Sequence, residues 1–212
     1  MCTGRVDLEF VLRAFSNGAD GVFIGGCRLN ECNYTTQGNY HALHMVLLCR
    51  KIMEHIGLNP ERLRIEFMSS AEGTRFAEVV NDFVNKIKEL GPLGIGEGID
   101  KKGLKSKLEA VKNLVPYIKL VERERLRVHF ETEDEYKEFF SSDEVNRLFR
   151  ELIVDKLTVN QILSLLREKP LTTGEISEIL GLSPSEASRY LNTSAKEGLV
   201  RFDEIQKCFV PA

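Results

Sequence analysis

Cys27 and Cys32 carry the most chemistry-bearing spacing in the chain. They sit in "GVFIGGCRLNECNY", Gly21 to Tyr34, where a short β-branched and aromatic run ends in two glycines. A thiolate pair spaced C-x4-C on one loop can reach a single metal centre, and that spacing opens one class of two-iron ferredoxin motif. The glycines before it let backbone amides approach the sulfurs. The spacing is less specific than a pair of C-x2-C motifs, so two unrelated loop cysteines are the competing reading. Cys2 adds a third thiol. If a strand ends just before it, Cys2 also lies at a strand's carboxyl end and ahead of a helix N-terminus, where thiol acidity rises. Three thiolates are one short of the set that a cluster or closed zinc site takes. Cys49 falls mid-helix between Leu48 and Arg50 and reads as a buried small hydrophobe rather than a fourth ligand. Cys208 lies far along the chain in a terminal hairpin and reads as a core or surface thiol. His41 and His44 share a helix face that could ligate a metal; the reading preferred is solvated or hydrogen-bonded histidines.

The elements that must hold these thiols follow from hydrophobic spacing. Leu8, Val11, Leu12 and Phe15 mark an amphipathic helix, with Asp7 to cap its start and Gly18 its end. A strand over 21–26 leads into the cysteine loop. A second helix is expected from about Asn39 to Ile56, with Leu43, Val46, Leu47, Met53 and Ile56 apolar. After a turn at Pro60, "LRIEFM" is the next strand. Ser69 and Glu72 have capping-box spacing ahead of a third helix, whose expected buried face is Phe76, Val79, Val80, Phe83, Ile87 and Leu90. Alternating helices and strands imply right-handed crossovers and a parallel sheet. The carboxyl ends of parallel strands are where α/β ligand sites gather. Two strands alone make a poor sheet, so an upstream strand–helix unit is expected from the architecture, and with it the reading that this chain is the later part of a larger or split protein.

"GPLGIGEGIDKKG" has five glycines and a proline and reads as a linker. A helix follows, with Leu104, Leu108, Val111 and Leu114 in register. "RLRVHFE" is a candidate short strand, and Ser142 with Glu144 opens another helix. The last segment runs helix, short helix, tight turn, helix, hairpin. It carries capping boxes at Thr172–Glu175 and Ser183–Glu186, with Pro184 at the first helical position. This order is a winged helix-turn-helix. The expected fold is α/β: a small parallel-sheet domain over residues 1–93, a linker and helical connector over 94–150, and a C-terminal winged helix-turn-helix domain over 151–212.

Composition excludes several classes. The 212 residues are 42% hydrophobic and 29% charged, with net charge −3 and five cysteines. No apolar run approaches the roughly 18 residues of a membrane span. "MCTGRVDLEF" has no basic region leading into an apolar stretch, so the expected location is cytoplasmic, where clustered thiols read as metal-binding or redox-active. There is no G-x-S-x-G, H-E-x-x-H or P-loop, and "GIGEG" follows a helix rather than a strand, which fails the dinucleotide context. The winged helix offers Arg189, Tyr190, Asn192, Thr193 and Lys196 as contact residues for DNA or a protein partner. From Glu151 to Ala212 there are seven Lys and Arg against nine Asp and Glu. DNA affinity rests on basic residues meeting phosphates, so this balance favours protein docking or a structural role over DNA.

Three stretches together carry a family resemblance: "MCTGRVD", then "GADGVFIGGCRLNECNY" leading to "QGNY", then "RLRIEFMSSAEGTRFAEVVNDFVNKIKELGPLG". Over residues 1–94 the chain resembles the delta subunit of methyl-viologen-reducing hydrogenase, the iron–sulfur partner of heterodisulfide reductase. Some members of that family also continue into a linker and a winged-helix end. The resemblance implies a [2Fe-2S] cluster, with Cys2, Cys27 and Cys32 matching the family's motif cysteines. It implies an electron carrier without catalytic residues of its own. Electrons would pass from a hydrogenase or formate dehydrogenase toward the flavin of a heterodisulfide reductase A-type flavoprotein. The family pattern also has an upstream strand–helix unit with a further cysteine pair, and this sequence starts after it. A separate polypeptide or an upstream reading frame is therefore expected to supply the missing ligands, without which the cluster would be absent. The alternative from another class is a cysteine-based metal- or redox-sensing transcriptional regulator, with the three cysteines as sensor and the winged helix as DNA reader.

Overall fold

The computed structural model describes residues 2–34 and 37–212. These form two compact units. The first comprises Met1–Leu108 and Val115–Arg147; the second comprises Glu109–Leu114 and Leu148–Ala212.

The first unit begins with a single helical turn, Thr3–Arg5, then α1 (Leu8–Ser16). Asp7 caps α1 by accepting from the Glu9 N–H, and Leu8, Val11, Leu12 and Phe15 are its buried stripe. Strand β1 (Val22–Gly26) pairs in parallel with β2 (Leu63–Phe67), in a register that sets Val22 opposite Leu63 and Gly26 opposite Phe67. The Met68 N–H extends the ladder by donating to the Gly26 carbonyl at 2.9 Å. Between the strands runs α2 (Asn39–His55). Eleven of its seventeen residues are buried, so it is a central helix packed nearly all round rather than a one-faced surface helix.

Helix α3 (Gly73–Leu90) departs from expectation. Of its predicted apolar face, Phe83 alone is fully buried, packing against Phe23 at 5.6 Å between ring centres, and Phe76 stays 50% exposed. Two strands present too narrow a surface to cover an eighteen-residue helix. Ser69 and Glu72 also do not cap α3 as a box. They close a turn before it, with the Glu72 carboxylate accepting from the Ser69 N–H at 2.6 Å.

The glycine-rich segment read as a linker is packed. Arg62, wholly buried, reaches it from the turn before β2. Its Nε lies 2.5 Å from Glu97 Oε1, and its Nη1 donates to the carbonyls of Asp20 and Gly91. Glu97 also accepts from the N–H groups of Asn59 and Gly94. Burial raises the affinity of Glu97 for its proton, but Arg62 and these two N–H groups overcome that, and the carboxyl is held below its usual range. A buried charge with this many partners is a lock, whereas a free tether would leave them unpaired.

Helices α4 (Lys101–Val121), α5 (Glu133–Ser141) and α6 (Asp143–Phe149) follow. The candidate strand "RLRVHFE" does not form: Glu122–Leu126 is a widened helical turn and the next residues are irregular. Val128 and Phe130 instead pack on a cluster of Tyr40, Leu43 and Tyr136. α5 is capped by a Thr132–Glu135 box that the sequence reading passed over. His44 is buried edge-on to Phe140, at 4.9 Å between ring centres. Its Nε2 comes within 3.5 Å of Glu122, but neither ring nitrogen makes a hydrogen bond among the described residues. Burial, with smaller contributions from His41 and Arg127, depresses its pKa to about 4, so the ring is neutral.

The second unit includes α7 (Asp155–Glu168), α8 (Thr173–Leu180), α9 (Pro184–Lys196) and an antiparallel hairpin of β3 (Val200–Asp203) and β4 (Cys208–Pro211). Both expected capping boxes are present, at Thr172–Glu175 and Ser183–Glu186. Ile162, Leu166, Leu171, Ile176, Ala187 and Leu191 form its core. An isolated bridge from Leu171 to Phe209 joins the turn before α8 to the hairpin. This is the winged helix that the sequence implies.

Two outcomes follow. Arg62→Met leaves Glu97 buried without its partner and is expected to cost about 3–5 kcal/mol, read as a lowered urea midpoint for the full chain. His44 is harder to protonate folded than unfolded, so its neutral ring contributes fully above about pH 6.5. That contribution is lost as pH falls from 6.5 toward about 4. The measured fall in stability across that window is expected to flatten in His44→Phe.

Candidate functional site

Three separate stretches bring their thiols to the carboxyl end of the parallel pair. Cys27 follows the last residue of β1. Cys2 precedes the Thr3–Arg5 turn and caps it, its Sγ accepting from the Gly4 N–H at 3.5 Å. The Thr3 hydroxyl donates to the Gly25 carbonyl at 3.0 Å, which ties that turn to the end of β1. Cys32 sits beneath the N-terminus of α2, where the first backbone N–H groups have no partner within the helix. Its sulfur lies 3.5 Å from Cys2 Sγ, and Cys27 is near enough for the three thiols to shift one another's acidity.

Two glycines make this approach possible. A Cβ on Gly38 would fall 2.3 Å from Cys32 Sγ and 2.3 Å from the Tyr34 carbonyl oxygen. A Cβ on Gly4 would fall 2.0 Å from the Gln37 carbonyl oxygen. Any side chain at either position pushes the turn, the loop and the helix apart.

The thiols differ electrically. Burial alone would raise the Cys32 pKa. The N–H groups of Tyr34 and Asn39 and the neighbouring thiols Cys2 and Cys27 outweigh it, and Cys32 is held below the ordinary cysteine range. Cys27 goes the other way, raised by burial first and then by the neighbouring Cys32 and Cys2. Of these two, Cys27 holds its proton the more firmly.

The donor set suits a soft metal. A tetrahedral ion with metal–sulfur bonds of about 2.3 Å holds adjacent sulfurs about 3.8 Å apart, close to the Cys2–Cys32 separation. No three His, Cys, Asp or Glu side chains among the described residues enclose a metal ion by themselves. Cys2 and Cys32 are the close pair, and Cys27, the most exposed of the three, borders a groove with Thr3, Ser69, Glu72 and Phe76.

The surroundings include residues that the sequence reading left without a role. Arg28, next to Cys27, forms a two-point pair with Glu72, at 3.0 Å and 2.5 Å, so one carboxylate joins the cysteine loop to the β2–α3 turn. Arg28 and the Ser69 N–H hold the Glu72 pKa down to about 2. Asn39 donates to the Cys27 and Arg28 carbonyls at 2.9 Å and 2.7 Å. The Tyr40 hydroxyl bridges Asn30 and the Glu131 carbonyl. A C-x4-C spacing gives no hint of these partners; the A-E-G and G-N contexts in which Glu72 and Asn39 stand were the available signal.

Other predicted positions lie apart from the thiols. Cys49 is wholly buried in α2, and burial pushes its thiol up to about 12. Cys208 is buried in the hairpin. In the winged helix Arg189, Asn192, Thr193 and Lys196 lie along α9, of which Arg189 is 60% exposed at its side chain. Tyr190, read from the sequence as a contact residue, is instead a core side chain whose hydroxyl donates to Asp155 Oδ1 at 2.6 Å. Arg189 stacks over its ring at 4.5 Å.

The site thus consists of thiols gathered at the strand ends of a parallel α/β unit, which is followed in sequence by a winged helix. Residues 1–91 match the family described as methyl-viologen-reducing hydrogenase, delta subunit, and residues 157–201 match the bacterial regulatory protein, arsR family. The chain is similar to the iron–sulfur D chain of the F420-non-reducing hydrogenase of Archaeoglobus profundus, 48% identical over 91 residues, covering 43% of this chain and 66% of that one. It is also similar to the iron–sulfur D chain of the vhc F420-non-reducing hydrogenase of Methanococcus voltae, 41% identical over 101 residues, covering 48% of this chain and 69% of that one. Over 94 residues it is 46% identical to the A chain of the ferredoxin/F420H2-dependent CoB-CoM heterodisulfide reductase of Methanosarcina acetivorans, covering 44% of this chain and 12% of that one. The chain belongs to the methyl-viologen-reducing hydrogenase delta subunit family. It spans about two thirds of the length of the hydrogenase proteins and a small part of the reductase protein.

The Cys2–Cys32 pair is expected to be captured by a trivalent arsenical that bridges two neighbouring thiols, one per chain by mass spectrometry under reducing conditions. Gly38→Ala forces Cys32 away from Cys2, and bridged adduct at that pair is expected to fall at least tenfold.

Proposed function

We propose that this chain is an electron-transfer protein that holds a [2Fe-2S] cluster on Cys2, Cys27 and Cys32. The observation that carries the reading is the convergence of these three thiols, from three stretches of sequence, at the carboxyl end of the β1–β2 pair. When bound, such a cluster takes up and gives back single electrons. The remaining work belongs to the protein. Cys2 and Cys32 offer two sulfurs already at near-tetrahedral spacing. The N-terminus of α2 and the Tyr34 N–H favour the thiolate form of Cys32 that a metal requires. The Arg28–Glu72 pair and Asn39 hold the Cys27 loop against the sheet.

A cluster of this type takes four protein ligands, and a partner polypeptide supplies the fourth. The electron donor is a hydrogenase or formate dehydrogenase, and the acceptor is the flavin-bearing A-type protein of a heterodisulfide reductase; the names of the similar proteins support the hydrogenase and the heterodisulfide reductase in that assembly. No helix among the described residues is long and apolar enough to cross a membrane, which suits a protein that docks on other proteins. The winged helix serves as a docking module. Its hairpin tip presents Ile205, 93% exposed, beside Asp203 and Glu204, an apolar and acidic tip ill-suited to DNA phosphates.

One observation favours a second reading, a thiol-based regulator that reads DNA: the arsR-family match over residues 157–201. Salt-dependent, sequence-selective duplex binding by the full chain, changed by thiol oxidation, is the result that would establish it.

The test of the first reading is anaerobic co-expression with the hydrogenase and reductase partners, followed by iron and acid-labile sulfide determination. Relative to the same assembly carrying Cys2→Ser, about two more irons and two more sulfides per chain are expected. Serine at Cys27 or Cys32 is expected to remove the same two irons and two sulfides, while Cys49→Ala leaves them in place. Equal iron and sulfide in wild type and in the three serine variants of the complete assembly sinks the proposal.

A further inference from the structure

Asn39 is a buried polar side chain that faces the thiols. It is 0% exposed and opens α2. Its Nδ2 donates to two carbonyls, those of Cys27 at 2.9 Å and Arg28 at 2.7 Å, and lies 3.7 Å from Cys27 Sγ. Two carbonyl acceptors fix which end of the amide is the nitrogen, because an oxygen there would face two oxygens. Its backbone N–H, at the start of α2, helps to hold the Cys32 pKa down. Its Oδ1 is buried without a hydrogen bond among the described residues. A side chain kept only for packing would leave no polar atom orphaned, since burying one costs free energy. The residue also borders a cavity of about 570 Å³ with Cys32, Tyr40 and His129.

We infer that Asn39 is the positioning and tuning residue of the thiol site. Its side-chain NH2 uses both hydrogens on the Cys27 and Arg28 carbonyls, which fixes the Cys27 loop, and its positive end lies 3.7 Å from Cys27 Sγ. Hydrogen bonds to cluster sulfurs are among the levers that set reduction potential, and they favour the state with more negative charge. Asn39 therefore holds the potential higher than the thiols alone would give. This inference rests on the cluster reading above for its redox consequence, but not for its geometry.

Two arms separate the two. In the full, reduced, metal-free chain labelled with nitrogen-15, the Asn39 side-chain amide is expected to exchange slowly with solvent. Its resonance is expected to move in Cys27→Ala and to move less in Cys49→Ala. In the iron-loaded assembly, Asn39→Ala and the isosteric Asn39→Asp are expected to shift the midpoint potential to more negative values, the aspartate further. An amide resonance indifferent to Cys27→Ala overturns the inference, and so does an unchanged potential in a variant that keeps its iron. If neither variant folds, the resonance in Cys27→Ala decides alone. If the wild-type assembly holds no more iron than the serine variants, the proposed function fails and the metal-free arm still decides the role of Asn39.

Discussion

The parallel pairing of Val22–Gly26 with Leu63–Phe67 is the constraint on which the thiol site depends. Because the strands run the same way, both leave the sheet at one end. Cys27 follows the first strand, and the Ser69–Glu72 turn follows the second. The Thr3 hydroxyl on Gly25 then brings Cys2 to that same edge, and α2 returns with its N-terminus toward Cys32. An antiparallel pair would have sent Cys27 and Glu72 to opposite ends and left Arg28 without its partner. The pairing is only two strands wide, so it is held largely by what lies around it: α2, buried on most sides, and the Arg62–Glu97 lock.

Within the site, sulfurs that are close in space are made unequal. Cys32 receives backbone N–H groups and is eased toward its thiolate, whereas Cys27 is burdened by burial and by its neighbours. Two equal thiols at this spacing would resist losing both protons together, because one negative charge opposes the next. Unequal ones give them up in sequence, Cys32 before Cys27. The same grading leaves Cys27, the sulfur held by Asn39, as the one most responsive to its surroundings.

Much of this was legible in the residues. The helix stripes, the two strands, the three cysteines and the capped helices of the winged segment follow from spacing and from cap chemistry, which are local. What could not be read was non-local. Arg62 gives no sign in sequence that it will be buried under a glycine-rich segment thirty-five residues on, so that segment passed for a tether. Phe76 and its neighbours have the spacing of a buried face, yet burial depends on how many strands lie beneath. Tyr190 looks like a recognition residue because it stands on the right helix, and only the position of Asp155 shows that it points inward. The Asn39 and Glu72 contacts join loops far apart in the chain, and periodicity carries no information about such pairs.

The bond from Tyr40 to the Glu131 carbonyl has a broader meaning. Tyr40 lies inside the stretch matched to the family, residues 1–91, and Glu131 lies well beyond it. Around this bond Val128, Phe130 and Tyr136 bury Tyr40 and Leu43. The stretch matched to the family and the stretch that folds as one unit are therefore different objects. A chain cut at the end of the match would leave Tyr40 and Leu43 open to water, so the boundary of the resemblance is not a boundary of the core.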